Sequence, residues 1–163
     1  MKARKLREET ETELERMGET VNELRQILPT LEDREPTKLE IAGAGGFLAQ
    51  FYGGIERILT RICKYHEVPV PAGPTWHRQI FALFGEPPHP DLPQVLDENL
   101  EHDLVPYRSF RHVFVHGYGI LLEWEKMRPG VEQLDDVFQR FSDRIRDYLK
   151  NIESEEKDPE PGQ

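Results

Sequence analysis

The sequence predicts an all-α protein, an up-and-down bundle of four long helices plus a short one, and three observations predict it. Apolar residues recur at alternating intervals of three and four along the long segments, the period of one buried helix face. No stretch alternates with a period of two for long enough to make a strand. Thirteen prolines and twelve glycines fall mostly between the periodic segments or at the C-terminal end, where they punctuate helices rather than replace them. At 163 residues the chain has the size of one domain. Composition divides it into a helical body over residues 1–152 and an acidic tail over 153–163, predicted to be disordered.

The first segment carries Leu14, Met17, Val21, Leu24, Leu28 and Leu31, a stripe narrow enough to resemble a coiled-coil seam. Pro29 near its end predicts a kinked or unwound last turn. Thr37 followed three positions later by Glu40 fits a capping box and opens the second helix. There Ala44, Leu48, Phe51, Ile55, Ile58 and Ile62 repeat the spacing, interrupted by Gly43, Gly45, Gly46, Gly53 and Gly54. Each glycine lowers helix propensity by up to roughly 1 kcal/mol, so close approach of another helix backbone is the expected reason for them. The breaker VPVPAGP precedes a short segment with Trp76, Ile80, Leu83 and Phe84 on one face, and GEPPHPDLP closes it. From about Leu96 the pattern reads as helical through Met127, with Pro106 starting or kinking a helix. After Pro129 and Gly130 the last helix runs through Val131, Leu134, Phe138, Phe141, Ile145, Leu149 and Ile152.

A net charge of -10 excludes a uniformly basic protein that coats nucleic acid. Four of those charges belong to NIESEEKDPEPGQ, where five carboxylates accompany one lysine. The single cysteine, Cys63, excludes an intrachain disulfide and reads as a buried thiol. There is no apolar run of spanning length and no signal-peptide pattern in MKARKLREETETE. The expectation is a soluble, cytoplasmic protein without membrane partners.

The stretch RSFRHVFVHGYG, residues 108 to 119, sets two arginines, two histidines and a tyrosine into an aliphatic and aromatic run. On an ideal helix Arg111 and His116 point about 140° apart, whereas Arg111 and Tyr118 fall within about 20° and Arg108 joins their face. For arginine and histidine to meet, the helix must end or distort near Gly117, or the side chains must curl around it. Otherwise the arginine meets a histidine of a second copy. His112 and His116, four apart, have the spacing of a helical metal site that Glu123 would complete. The plainer reading is a hydrogen-bonded rim histidine and an arginine paired with a carboxylate.

The order Arg111, His112, three apolar residues, His116, Gly117, Tyr118 resembles the R-x4-6-H signature of HEPN domains, and more narrowly the R-x4-H-x-Y form of HepT-like toxins. GFLAQFYGGIERILTRI, followed by a proline-rich loop and TWHRQIF, is similar to the second helix and the Trp-His-Arg element of HepT-like proteins. The likeness covers residues 12 to 150 and implies a HEPN-like bundle acting as a metal-independent endoribonuclease toxin, with tRNA or mRNA as substrate and no cofactor. It further implies a homodimer that pairs two motif helices across a cleft, and a nucleotidyltransferase antitoxin that attaches AMP to Tyr118.

Under that resemblance Arg111 is the transition-state clamp, because its planar fork stays charged. His116 is the base or acid, because histidine's ordinary pKa near 6.5 keeps both protonation states accessible. His112 becomes an orienting or auxiliary proton carrier, while Arg108 and Arg78 hold flanking phosphates. His77 and Arg78 also read as an exposed helix start, and Arg57, Arg61 and Lys64 as a solvated basic stripe or an RNA track. Two other functions remain open: a non-catalytic module that docks a nucleotidyltransferase, an RNA or a nucleotide, and a helical metalloprotein using His112, His116 and Glu123.

Overall fold

A computed structural model of the chain describes residues 1–117 and 119–158. The long helices are α1 (Lys2–Arg25), α3 (Lys38–Tyr65), α5 (Glu98–His116) and α6 (Trp124–Lys157). A single turn, α2 (Ile27–Thr30), follows α1, and the short α4 (Trp76–Leu83) lies between α3 and α5. Each long helix packs against the one before it in the chain, and α6 closes the ring on α1. That neighbour relation is the up-and-down bundle the stripes predict. No helix of the described residues is long and apolar enough to cross a membrane.

The stripes fill the ring's centre. Leu14, Leu48, Phe51, Ile55, Leu134, Phe141 and Ile145 are among the fully buried side chains. Phe51 of α3 sits edge-to-face with Tyr107 of α5 and Phe138 of α6, at centroid separations of 5.5 and 6.2 Å. Thr37 caps α3 as expected, its side chain accepting from the Glu40 N–H while the Glu40 carboxylate accepts from the Thr37 N–H. The interruption falls at Gln26, and Pro29 lies in the single helical turn α2 that follows it. Cys63 is buried, and burial pushes its thiol up to about 11.

Three expectations are corrected. The helix predicted from Leu96 through Met127 stops at His116, and Pro129 lies inside α6 rather than before it. A Cβ on Gly117 would lie 2.8 Å from the Val113 carbonyl oxygen, so the backbone can close α5 in that way only with glycine there. Pro106 and Pro129 are tolerated inside helices because the carbonyls they deprive belong to His102 and Glu125, both exposed residues that reach water. The glycines of α3 admit side chains rather than a helix backbone: a Cβ on Gly45 would meet Leu122 at 2.2 Å, and one on Gly54 would meet Met17 at 2.6 Å. Finally, α6 continues to Lys157, five residues into the segment predicted to be disordered. Glu153 pairs with Arg7 at 3.2 Å and Glu156 accepts from the Ala3 N–H at 3.0 Å, which holds that extension against α1.

The basic stripe on α3 stays partly solvated at Arg57 and Arg61, but both guanidiniums are engaged from below by a carboxylate. Both guanidiniums reach the buried Glu13 of α1, at 2.8 and 3.1 Å. Burial alone would raise the Glu13 carboxyl, but the hydrogen bonds from Arg57 and Arg61 outweigh it and hold the group below its ordinary range. A carboxyl held down in the folded state stabilises the fold above its unfolded pKa, and that contribution fades as pH falls through the folded value. Glu13→Gln should therefore cost about 1–3 kcal/mol at pH 7. The difference from the parent should shrink when urea unfolding is repeated near pH 3.

Candidate functional site

The site is built around a carboxylate that the periodic pattern hides. Glu56 lies on the inner face of α3, in line with Tyr52, Leu59 and Cys63, and its side chain is only 4 % exposed. A buried carboxylate must be paired to stay ionised, and two side chains meet it. Arg111 of α5 brings its Nε to 2.9 Å from Oε1, and His77 of α4 hydrogen-bonds Oε2 through Nδ1. The Arg111 Nη1 also reaches His77 Nε2 at 3.2 Å, which closes the triangle. Arginine can only donate, so Nε2 is the acceptor and the imidazole proton sits on Nδ1, directed at Glu56. Trp76 packs on the His77 ring at a centroid distance of 3.8 Å and fixes its orientation.

This triangle leaves the guanidinium partly engaged. Of its five N–H donors, Nε and one on Nη1 are taken, and Nη2 makes no hydrogen bond among the described residues. Arg111, His116, His112, Arg108 and Arg78 all line one open cavity of about 550 Å³ between α4 and α5. His116 occupies the last position of α5 and is exposed. Both side chains border the cavity despite their angular separation because it extends around the end of α5, which stops at His116. No hydrogen bond joins Arg111 to His116. The His112 and His116 rings lie 4.9 Å apart, centroid to centroid, both exposed.

Charge in this corner is unusual for so acidic a chain. Among the described residues the arginines without a carboxylate within 4 Å are Arg16, Arg78, Arg108 and Arg144. Arg144 instead donates to the Gln94 carbonyl at 2.8 Å, while Arg78 and Arg108 share the cavity wall. Two guanidiniums with no carboxylate within 4 Å, beside a third that is half engaged, make a local positive field able to hold phosphate oxygens.

Tyr118 lies outside the described residues. No group of three histidine, cysteine, aspartate or glutamate side chains gathers into a metal-binding arrangement among the described residues. Glu123 pairs instead with Lys126 at 2.6 Å. His77, at the start of α4, is turned inward onto Glu56 and Arg111 rather than exposed. Glu56 went unread because an acidic residue on a helix ordinarily marks its solvated face. Its signal was positional, since it interrupts the line Tyr52, Leu59, Cys63, on which every other member is apolar.

A bundle of four long helices that turns the Arg-x4-His segment toward one cationic cavity has the architecture of a HEPN-type protein. A family model described as HepT-like protein matches residues 43–152, and the chain belongs to that family. The matched span includes every residue of the cavity and the Glu56 triangle, and leaves α1 outside it, against an expected start at residue 12. No curated protein and no solved structure gives a significant match.

Removing the central charge should loosen α4 and α5 together. Glu56→Gln is expected to lower the unfolding free energy by about 2–4 kcal/mol, because Arg111 loses its ionic partner. His77→Ala should cost about 1.5–3 kcal/mol, because it removes a hydrogen bond to a buried carboxylate. Urea unfolding followed by far-ultraviolet circular dichroism measures both.

Proposed function

We propose that the protein is a metal-independent endoribonuclease of the toxin type, in which Arg111 and His116 act on one RNA phosphodiester. The observation that supports this reading most is the presence of Arg111 and His116 on one cavity whose remaining cations, Arg78 and Arg108, have no carboxylate partner among the described residues. RNA cleavage of this kind needs a base for the 2′-hydroxyl proton, an acid for the departing 5′-oxygen, and positive charge for the phosphorane between them. In this reading the free Nη2 edge of Arg111 meets the phosphorane oxygens, with Glu56 and His77 setting the guanidinium's angle. His116, exposed at the end of α5, exchanges the proton, and His112 beside it orients or relays. Arg78 and Arg108 are the cations available to the phosphates on either side.

One His116 supplies one of the two proton carriers. A homodimer across the motif helix brings the second, and the surface there favours it. Val105, Phe114, Val115, Ile120 and Leu121 are large apolar side chains exposed on α5 and the turn after it, a pattern that marks interaction faces on helical proteins. Tyr118, two residues after His116, is the proposed AMP acceptor for a nucleotidyltransferase antitoxin. A phosphate anion placed there would compete for the same cations.

The engagement of Arg111 by Glu56 favours a second reading, a binding module that holds RNA or a nucleotidyltransferase without turnover. The two readings part on one assay. Arg111→Ala and His116→Ala are expected to slow cleavage of a labelled RNA by on the order of 10²–10⁴-fold. Helical content should be retained, and EDTA should leave the parent rate unchanged. Absence of any cleavage by the parent protein, with RNA still bound, would assign the binding role.

A further inference from the structure

Beside the large cavity lies a smaller one of about 160 Å³, bounded by α3, α4 and the start of α5. Arg78 and Arg108 line both, so the same two guanidiniums border each space. The remaining walls are Tyr52, Phe81, Leu104, Val105 and Glu101. Phe81 stacks flat on the Tyr52 ring at 5.1 Å, which leaves an aromatic and aliphatic wall on one side. The Tyr52 hydroxyl is buried and has no hydrogen-bond partner among the described residues. Burial, followed by the nearby charge of Glu56, pushes the phenol well above its ordinary value, so the group stays protonated and able to donate.

The polar rim is equally unspent. Glu101 makes no ion pair and no side-chain hydrogen bond among the described residues, although it shares this cavity with two arginines that also lack a carboxylate. A carboxylate in the first turn of α5 suits that helix end, but this does not explain why opposite charges stand apart around a gap. Nor does a phosphate suit the space, since Glu101 would repel it. The occupant must offer donors to the carboxylate, acceptors to the guanidiniums and a flat apolar face to the wall. The space is less than a third of the large cavity's and is walled by rings and aliphatic side chains on one side, which suits a flat base better than a phosphate.

Among the RNA bases only guanine meets all of these demands. Its Watson–Crick edge places two adjacent N–H donors, N1 and N2, against a carboxylate, while adenine and cytosine each set an acceptor beside their amino group. Its O6 and N7 are the acceptors that arginine reads most often. We propose that this cavity holds the unstacked guanine base next to the phosphodiester in the large cavity, with Glu101 on N1 and N2, and Arg78 or Arg108 on O6 and N7. Tyr52 donates from the floor. The assignment rests on the nuclease reading for its RNA, and it names the preference that reading leaves open.

The test uses binding without turnover. Fluorescein-labelled 2′-O-methyl tetramers, which have no free 2′-hydroxyl to attack, carry one guanosine, inosine or adenosine among uridines and are titrated against the full chain by anisotropy. The guanosine tetramer should bind on the order of tenfold tighter than the adenosine one, with inosine between them because it lacks the 2-amino group. Glu101→Ala should erase that ratio while leaving adenosine binding equal or stronger. Tyr52→Phe should weaken guanosine binding with an unfolding midpoint unchanged or raised, since its hydroxyl has no partner to lose. GMP alone should bind at least about tenfold more weakly than the tetramer, for want of flanking phosphates. Equal affinity for all tetramers overturns the guanine assignment while leaving the nuclease reading intact. GMP binding as tightly as the tetramer overturns it in favour of a free nucleotide, a ratio that survives Glu101→Ala removes the carboxylate from the recognition, and failure to bind any RNA ends this proposal and the nuclease reading together.

Discussion

One buried carboxylate organises the functional end of this bundle. Glu56 is placed in the interior by the apolar residues around it on α3, and an ionised group in such surroundings is tolerable only if other helices bring it positive charge and hydrogen bonds. Arg111 from α5 and His77 from α4 do so. The same contacts that satisfy Glu56 aim the guanidinium along the cavity wall and hold the short α4 on the bundle. Position is therefore gained from the need to neutralise a charge, and the side chain that would meet a phosphate is held rigid before any phosphate arrives. The neutral His77 fits between them because it can give a proton to the carboxylate on one nitrogen and accept from the arginine on the other.

The rest of the electrostatics sharpens this corner by taking positive charge away from other places. Arg57 and Arg61 are bound to Glu13, Arg140 to Asp103, and Arg146 to Glu11. Arg78 and Arg108 are left without such partners, so an acidic chain of net charge -10 still presents a cationic recess. Self-repulsion elsewhere on an acidic surface would keep polyanions from settling at random, whereas this recess sets side by side two guanidiniums with no carboxylate within 4 Å. The protein's acidity, which looked adverse to an RNA-binding role, is compatible with a selective one.

The scaffold was plain in the sequence where a single local rule decided the outcome. The three-four stripes marked the four long helices, and Thr37 with Glu40 marked the start of α3, because capping is settled within one turn. Errors came where tertiary context decides. Pro129 looked like a boundary, yet the only bond it removes is at exposed Glu125, while Gly117, one of several places offered for a break, ends α5 through a close approach to Val113. Arg111 and His116 were legible from their spacing as a pair, but what holds Arg111 was not. Glu56 comes from a helix more than fifty residues earlier in the chain, and periodicity records which face a residue occupies without recording whom it meets there. His77 was misjudged for the same reason, since its partners lie on α3 and α5.

The placement of Arg111 depends most directly on its coupling to Glu56. A double-mutant cycle with Glu56→Gln, Arg111→Met and the pair, read as unfolding free energies in urea at pH 7, isolates that term from every other effect of the substitutions. A coupling energy of about 1–3 kcal/mol is predicted, the doubly substituted protein being little worse than either single variant. Additivity within about 0.3 kcal/mol would mean that the two groups do not sense each other, and the carboxylate would then have no claim to position the arginine.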